Sequence, residues 1–194
     1  MVFYVAGING VGKSTVLNSM CERDNNMVHV KGSALLMEAL GIPPGDYHQL
    51  NDYDNETKQR EFGRIITEYC DKYGDSEETY FIDAHLLNLI KGKVSDVTGS
   101  WMSKLSGIVL VEAPIGDIYA RIQSDSGRTR ELFPTTEAGT ELDRLLQYMT
   151  QTRERFIEVA ATYELPSVLV MNHHGEIESA VNGIAEFRLA QLSR

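Results

Sequence analysis

Gly7-Ile8-Asn9-Gly10-Val11-Gly12-Lys13-Ser14 lies between an apolar run, Val2–Ala6, and a segment patterned as a helix through about Cys21. The octet fits G-x-x-x-x-G-K-[ST] at every fixed position, in the strand–loop–helix setting that gives the motif its meaning. Such a loop is a phosphate cradle. Gly7, Gly10 and Gly12 let the backbone curl, with Asn9 and Val11 between them, so that successive N–H groups point inward. The helix that follows adds the positive end of its dipole. Lys13 is expected to reach the β- and γ-phosphates and Ser14 to ligand Mg²⁺ through its hydroxyl. Thr15, the next hydroxyl, is expected to face the α-phosphate. The expected ligand is a nucleoside triphosphate, ATP with Mg²⁺.

Outward from this loop, apolar runs at Val2–Ala6, Met27–Val30, Thr79–Ile82, Ile108–Val111 and Ser167–Met171 read as strands separated by helical patterns. This alternation implies an α/β fold with parallel strands and helices on both faces. A length of 194 residues suits a single domain. Helices are expected over Ala34–Leu40, over 118–123 and over Ile177–Leu192. The clearest follows Asp54, a natural N-cap, where Phe62, Ile65, Ile66, Tyr69, Cys70 and Tyr73 keep helical spacing. A long helix is expected to bury Leu142, Leu146, Met149, Phe156 and Ala160. Residues 91–107 read as a loop or broken helix, and 124–136 as a mobile, polar segment.

Eighteen basic against 28 acidic residues give a net charge of −10. An acidic surface repels nucleic acid and anionic membrane, so neither is an expected partner. The cations that exist should gather at the nucleotide. Cys21 and Cys70 sit in helical patterns without metal-ligand spacing and read as core thiols. No apolar run is long enough to span a membrane, and the N-terminus runs straight into a strand. A cytoplasmic setting is the expectation.

Asp83 ends the third predicted strand, with His85 two residues on, and Glu112 ends the fourth. Ligands of open parallel sheets bind beyond the strands' carboxyl ends. Either acid is a candidate for Mg²⁺, and Asp-x-His favours Asp83, which could alternatively act as a base. Arg128 and Arg130, alternate residues in a polar segment, suit a closing lid that brings charge to a moving phosphoryl group. Arg153 falls on the apolar stripe of the long helix. A buried cation needs a carboxylate or a bound phosphate. Arg121, near the lid, is placed to stack on a base.

The P-loop, Asp83-Ala84-His85, the strand ending at Glu112, the lid arginines and Arg153, in this order, resemble the archaeal-type adenylate kinases, a branch of the P-loop nucleoside monophosphate kinases. The resemblance spans nearly the whole chain and takes in Gly32-Ser33, Gly63-Arg64 and Asn172. It implies a three-layer αβα fold with a five-stranded parallel sheet, an acceptor-binding insertion near 31–73 and a lid near 122–137. It also implies the reaction ATP + AMP ⇌ 2 ADP with Mg²⁺, and a trimer. On this reading Arg128 and Arg130 clamp the transferred group, Arg153 bridges the phosphates, Arg121 covers the adenine and Asn172 faces the base. Gly32, Ser33, His48, Arg64 and His85 attend the acceptor. One departure stands out. The family carries arginines for the AMP phosphate near residues 44–51, whereas this chain has no Lys or Arg between Lys31 and Lys58.

Three activities therefore remain open at this point. The leading one is a nucleotide kinase, most simply of AMP. The second is a kinase of a hydroxyl on a small metabolite, which the missing arginines favour. The third is a regulatory ATPase, with Glu112 or His85 orienting water.

Overall fold

The computed structural model describes residues 1–90, 93–124 and 140–193. Strand β1 (Val2–Ala6) leads through the P-loop into helix α1 (Lys13–Arg23). Strand β2 (Met27–Lys31) runs directly into α2 (Gly32–Ala39), followed by the short α3 (Tyr47–Asp52) and the long α4 (Asn55–Tyr73). Strand β3 (Thr79–Asp83) and a hairpin, β4 (Leu87–Ile90) and β5 (Lys93–Asp96), come next. A 3₁₀ turn (Ser100–Lys104), β6 (Gly107–Glu112), α5 (Ile115–Ser124), α6 (Glu141–Thr162), β7 (Ser167–Met171) and α7 (Ile177–Leu192) complete the order.

The five expected strands form one sheet, ordered β2-β3-β1-β6-β7, with every pairing parallel. Their side chains alternate between two cores, as the two-residue period of a strand requires. Phe3 and Val5 of β1 face a core shared with α1, α5, the start of α6 and α7. Val2, Tyr4 and Ala6 face the other, shared with α2, α4, the 3₁₀ turn and the end of α6. All five carboxyl ends lie at one edge, where β1 delivers the P-loop, β3 Asp83 and β6 Glu112.

The helix after Asp54 forms as its pattern predicts. The Asp54 side chain accepts from Thr57 N at 2.7 Å, a cap worth about 1 kcal/mol. Its buried stripe is Lys58, Phe62, Ile66 and Cys70, and burial raises the Cys70 thiol pKa to about 11. Three expectations need correction. Residues 93–104 are not irregular, because Lys93–Asp96 pairs antiparallel with Leu87–Ile90 and Ser100–Lys104 is a 3₁₀ turn. Helix α3 was not foreseen; it has six residues and Asp46 as its cap. In α6 the buried residues are Leu145, Tyr148, Thr152, Phe156 and Val159, while Leu142 and Leu146 are exposed. Among the described residues no helix is long and apolar enough to cross a membrane.

Candidate active site

Beyond β1 the P-loop folds back on itself through two close approaches that exclude side chains. Gly7 has φ +149°, and a Cβ there would lie 2.4 Å from the Val111 carbonyl oxygen. Gly12 has φ +86°, and a Cβ there would lie 2.4 Å from Asn172 Nδ2. Lys13 is buried with its ammonium turned into the loop, donating to the carbonyls of Gly7 (2.9 Å) and Ile8 (3.3 Å). A ring of loop backbone closed on a lysine fits a polyphosphate, since the ammonium is held where anionic oxygens would enter. Ser14 is partly buried, and Thr15 is exposed at the start of the helix.

Asp83 completes this centre from the neighbouring strand. Its carboxylate accepts from the Ser14 hydroxyl at 2.5 Å and lies 3.9 Å from Lys13 Nζ. His29 Nε2 of β2 stands 3.4 Å away, while its Nδ1 meets Asn18 Oδ1 at 2.7 Å. Burial alone would push the Asp83 pKa up. His29, the Lys13 ammonium and the Ser14 hydroxyl outweigh that and bring it down to about 2, with His85 acting in the same sense. A hydroxyl and a carboxylate this close form an oxygen pair suited to Mg²⁺ held jointly with phosphates. Sequence reasoning placed Ser14 and Asp83 together but missed His29. Its signal was a histidine two residues before the end of the strand next to β3.

His85 lies against the same loop. Its Nδ1 is 2.8 Å from the Gly7 carbonyl oxygen. A carbonyl only accepts, so Nδ1 carries the proton, and Nε2 is the basic nitrogen of the neutral ring. The Tyr4 hydroxyl, buried in the sheet, donates to the His85 carbonyl at 2.7 Å and fixes the backbone there.

Arg121 and Asn172 close the other side of the loop. The Arg121 guanidinium donates to Gly10 O (3.2 Å), Val11 O (3.3 Å) and Asn172 O (3.4 Å). Asn172 is buried; its Nδ2 donates to Val11 O at 2.7 Å and its N–H to Glu112 O at 2.7 Å. Both expected nucleotide-side residues therefore pack on the P-loop from β7 and α5.

Arg153 differs from its expectation. The buried member is Glu112, at 2% exposure, and the Arg153 side chain is half exposed. The guanidinium grips Glu112 in a bidentate pair, with Nε at 2.9 Å from Oε1 and Nη2 on Oε2. The internal carboxylate, then, answers the question of its partner. Glu112 is committed to that pair and is not near Ser14 in the manner of Asp83.

On the acceptor side the expectations divide. Gly32 packs against Ala84, the Asp83 carbonyl and Phe62, so it lines the edge next to the P-loop. The Ser33 hydroxyl lies 3.5 Å from the Tyr47 hydroxyl of α3. His48 and Arg64 do not join them. His48 is exposed and faces Asp52 at 3.6 Å. Arg64, half exposed in a groove between α4 and residues 98–101, is bound to Glu68 at 2.7 and 2.9 Å and to Glu61 at 3.1 Å. Arg128 and Arg130 lie outside the described residues, as does most of the expected lid.

The AAA domain family model matches residues 6–137, the P-loop and both strand-end acids included. The chain belongs to the AAA domain family. No curated protein matches it in sequence. Solved structures similar to this AAA-domain chain include shikimate kinase from Acinetobacter baumannii in complex with shikimate. That match is 13% identical, covers 97% of this chain and 93% of that one, and has a TM-score of 0.59. A gluconokinase from Sinorhizobium meliloti 1021 matches at 15% identity, covering 100% and 97%, with a TM-score of 0.55. A sugar kinase from Janibacter sp. HTCC2649 matches at 16% identity, covering 99% and 94%, with a TM-score of 0.52. These likenesses give the AAA-domain chain the P-loop kinase fold. They support the broad P-loop kinase resemblance and not the adenylate kinases in particular.

Proposed function

We propose that this protein is a Mg-ATP-dependent kinase that transfers the γ-phosphoryl group to a hydroxyl of a small metabolite. The observation that carries this is the acceptor insertion. From residue 32 to 57 it holds five acids and no Lys or Arg, and both His48 and Arg64 are engaged with carboxylates of their own helices. A nucleoside monophosphate would lack its arginine clamp, at about 1.5–3 kcal/mol for each charge-assisted hydrogen bond. The kinds of kinase that share the fold, for shikimate, gluconate and sugars by their names, support the same reading.

A hydroxyl, unlike a phosphate, must lose a proton as it attacks. Asp83, held near a pKa of about 2, is a poor base and suits the Mg²⁺ side with Ser14. His85, with its tautomer set by Gly7, is the better proton acceptor. In this scheme the acceptor oxygen bonds to the γ-phosphorus, the bond to the β-phosphate oxygen breaks and the proton passes to His85 Nε2. Lys13 stabilises the charge on the phosphates, and Mg²⁺, which Ser14 and Asp83 would hold, would supply further charge stabilisation when bound. Arg121 and Asn172 flank the nucleotide, and Arg128 and Arg130 are proposed to close over it.

The test is an acceptor screen with Mg·ATP, following ADP formation with hydroxyl metabolites and with each nucleoside monophosphate. Turnover with a hydroxyl metabolite well above that with AMP is expected. Efficient turnover with AMP would return the protein to the adenylate kinases. Equal ATP hydrolysis with and without acceptors would make it an ATPase.

A further inference from the structure

Helix α1 brings two polar side chains to β2 and β3, one turn apart. Ser14 and Asn18 are four residues apart and so share a face of the helix. Ser14 meets Asp83, its hydroxyl donating to Oδ2 at 2.5 Å. Asn18 meets His29, its Oδ1 standing 2.7 Å from Nδ1. That oxygen only accepts, so Nδ1 carries the proton and the lone pair of the neutral ring is on Nε2. Nε2 faces Asp83 Oδ2 at 3.4 Å. The two side chains retain 8% and 10% of their surface. Nε2 itself is buried and has no hydrogen-bond partner among the described residues.

An imidazole lone pair and a carboxylate oxygen repel each other unless a cation lies between them. A hydrogen bond would draw the two atoms to about 2.7–3.2 Å. The gap of 3.4 Å is instead that of two ligands on one ion: at about 2.1 Å from it they stand about 3.0–3.4 Å apart. The other side of the ring also fits a ligand. A metal-bound histidine donates its second N–H to an oxygen, as Nδ1 does to Asn18. The Lys13 ammonium lies nearer the other carboxylate oxygen, 3.9 Å from Oδ1, and leaves Oδ2 to the ion. Among the described residues no three His, Cys, Asp or Glu side chains gather as a metal cluster. Ser14 Oγ, nucleotide phosphate oxygens and water must therefore complete the shell.

We propose that His29 Nε2 joins Asp83 and Ser14 in binding the divalent ion, and that the ion this chain prefers is a first-row transition metal such as Mn²⁺. The inference rests on the Mg-ATP reading above and sharpens its choice of ion. Mg²⁺ holds to oxygen ligands, whereas transition ions accept imidazole nitrogen.

The experiment loads the full chain with Mn²⁺, with and without a non-hydrolysable ATP analogue, and reads nitrogen bound to the ion by pulsed EPR. Wild type should show modulation from directly bound ¹⁴N, replaced by the ¹⁵N pattern when the histidines are ¹⁵N-labelled. His29→Phe should abolish it and His85→Phe should keep it, which separates the two histidines near the P-loop. By calorimetry with the analogue bound, His29→Phe should weaken Mn²⁺ by about tenfold or more, and Mg²⁺ much less. If His29→Phe does not fold, labelled wild type and His85→Phe still decide the question. The proposal falls if wild type shows no nitrogen modulation under either condition, if His29→Phe keeps it, or if His85→Phe loses it. Phosphoryl transfer is measured separately. Nitrogen-bound Mn²⁺ without transfer would overturn the kinase reading and leave the ion site standing, whereas transfer without bound nitrogen would do the reverse.

Discussion

The P-loop side and the acceptor side of the cleft are built on opposite plans. On the P-loop side, side chains from β3, α5 and β7 converge on one stretch of backbone, and Lys13, Ser14, Asp83, Arg121 and Asn172 all have short polar partners there. On the acceptor side the charged residues mostly serve their own helices, as with Arg64 and Glu68 or His48 and Asp52. The polar contacts of the P-loop side thus follow from backbone curvature.

The comparison breaks most severely at Lys13. Lys13→Ala should cut transfer below about one part in a hundred of wild type, measured as ADP formation, while circular dichroism stays native. Unchanged turnover would remove the P-loop from the chemistry altogether. The next effect concerns the sheet edge between the two sides. Replacing Arg153 leaves Glu112 buried and unpaired, whereas replacing Glu112 frees an arginine already half in water. Arg153→Met should therefore cost about 2–3 kcal/mol in denaturant unfolding, below the range for a fully buried pair, and Glu112→Gln only about 1. Equal costs would mean that the carboxylate is not the vulnerable partner.

Asp83 gives a pH signature that separates the sides further. Its pKa is depressed in the folded chain, from an ordinary 3.8 to about 2. The corresponding stability is present above pH 4 and is lost as pH falls through 2. It amounts to about 2 kcal/mol. Asp83→Asn should flatten that acid limb in unfolding titrations between pH 4 and 2, and an identical limb in the variant would contradict the assignment.

Much of this was legible in the sequence, for particular reasons. The P-loop is a local motif and the five strands are short apolar runs, so both were found. The hairpin after His85 was not, because Leu87–Ile90 and Lys93–Asp96 are four residues each and only pairing makes them strands. In α6, apolar residues at 142, 145, 146, 148 and 149 support two stripes, and the sheet selects the one through Leu145 and Tyr148. The same shift moved Arg153 to the flank. His29 escaped notice because its role depends on β2 lying beside β3.

The smallest predicted effect is at Arg64. Arg64 matches the resemblance in sequence, yet it lies two residues after Phe62, about 200° around the helix, and half of its side chain is in solvent. Its ion pairs with Glu61 and Glu68 are surface pairs at helical spacing, screened by solvent and contributing little to stability. Arg64→Ala should leave the denaturant midpoint nearly where it was and leave the acceptor KM unchanged. A severalfold increase in that KM would mean that Arg64 reaches the acceptor, and the division between the two sides would have to be redrawn around it.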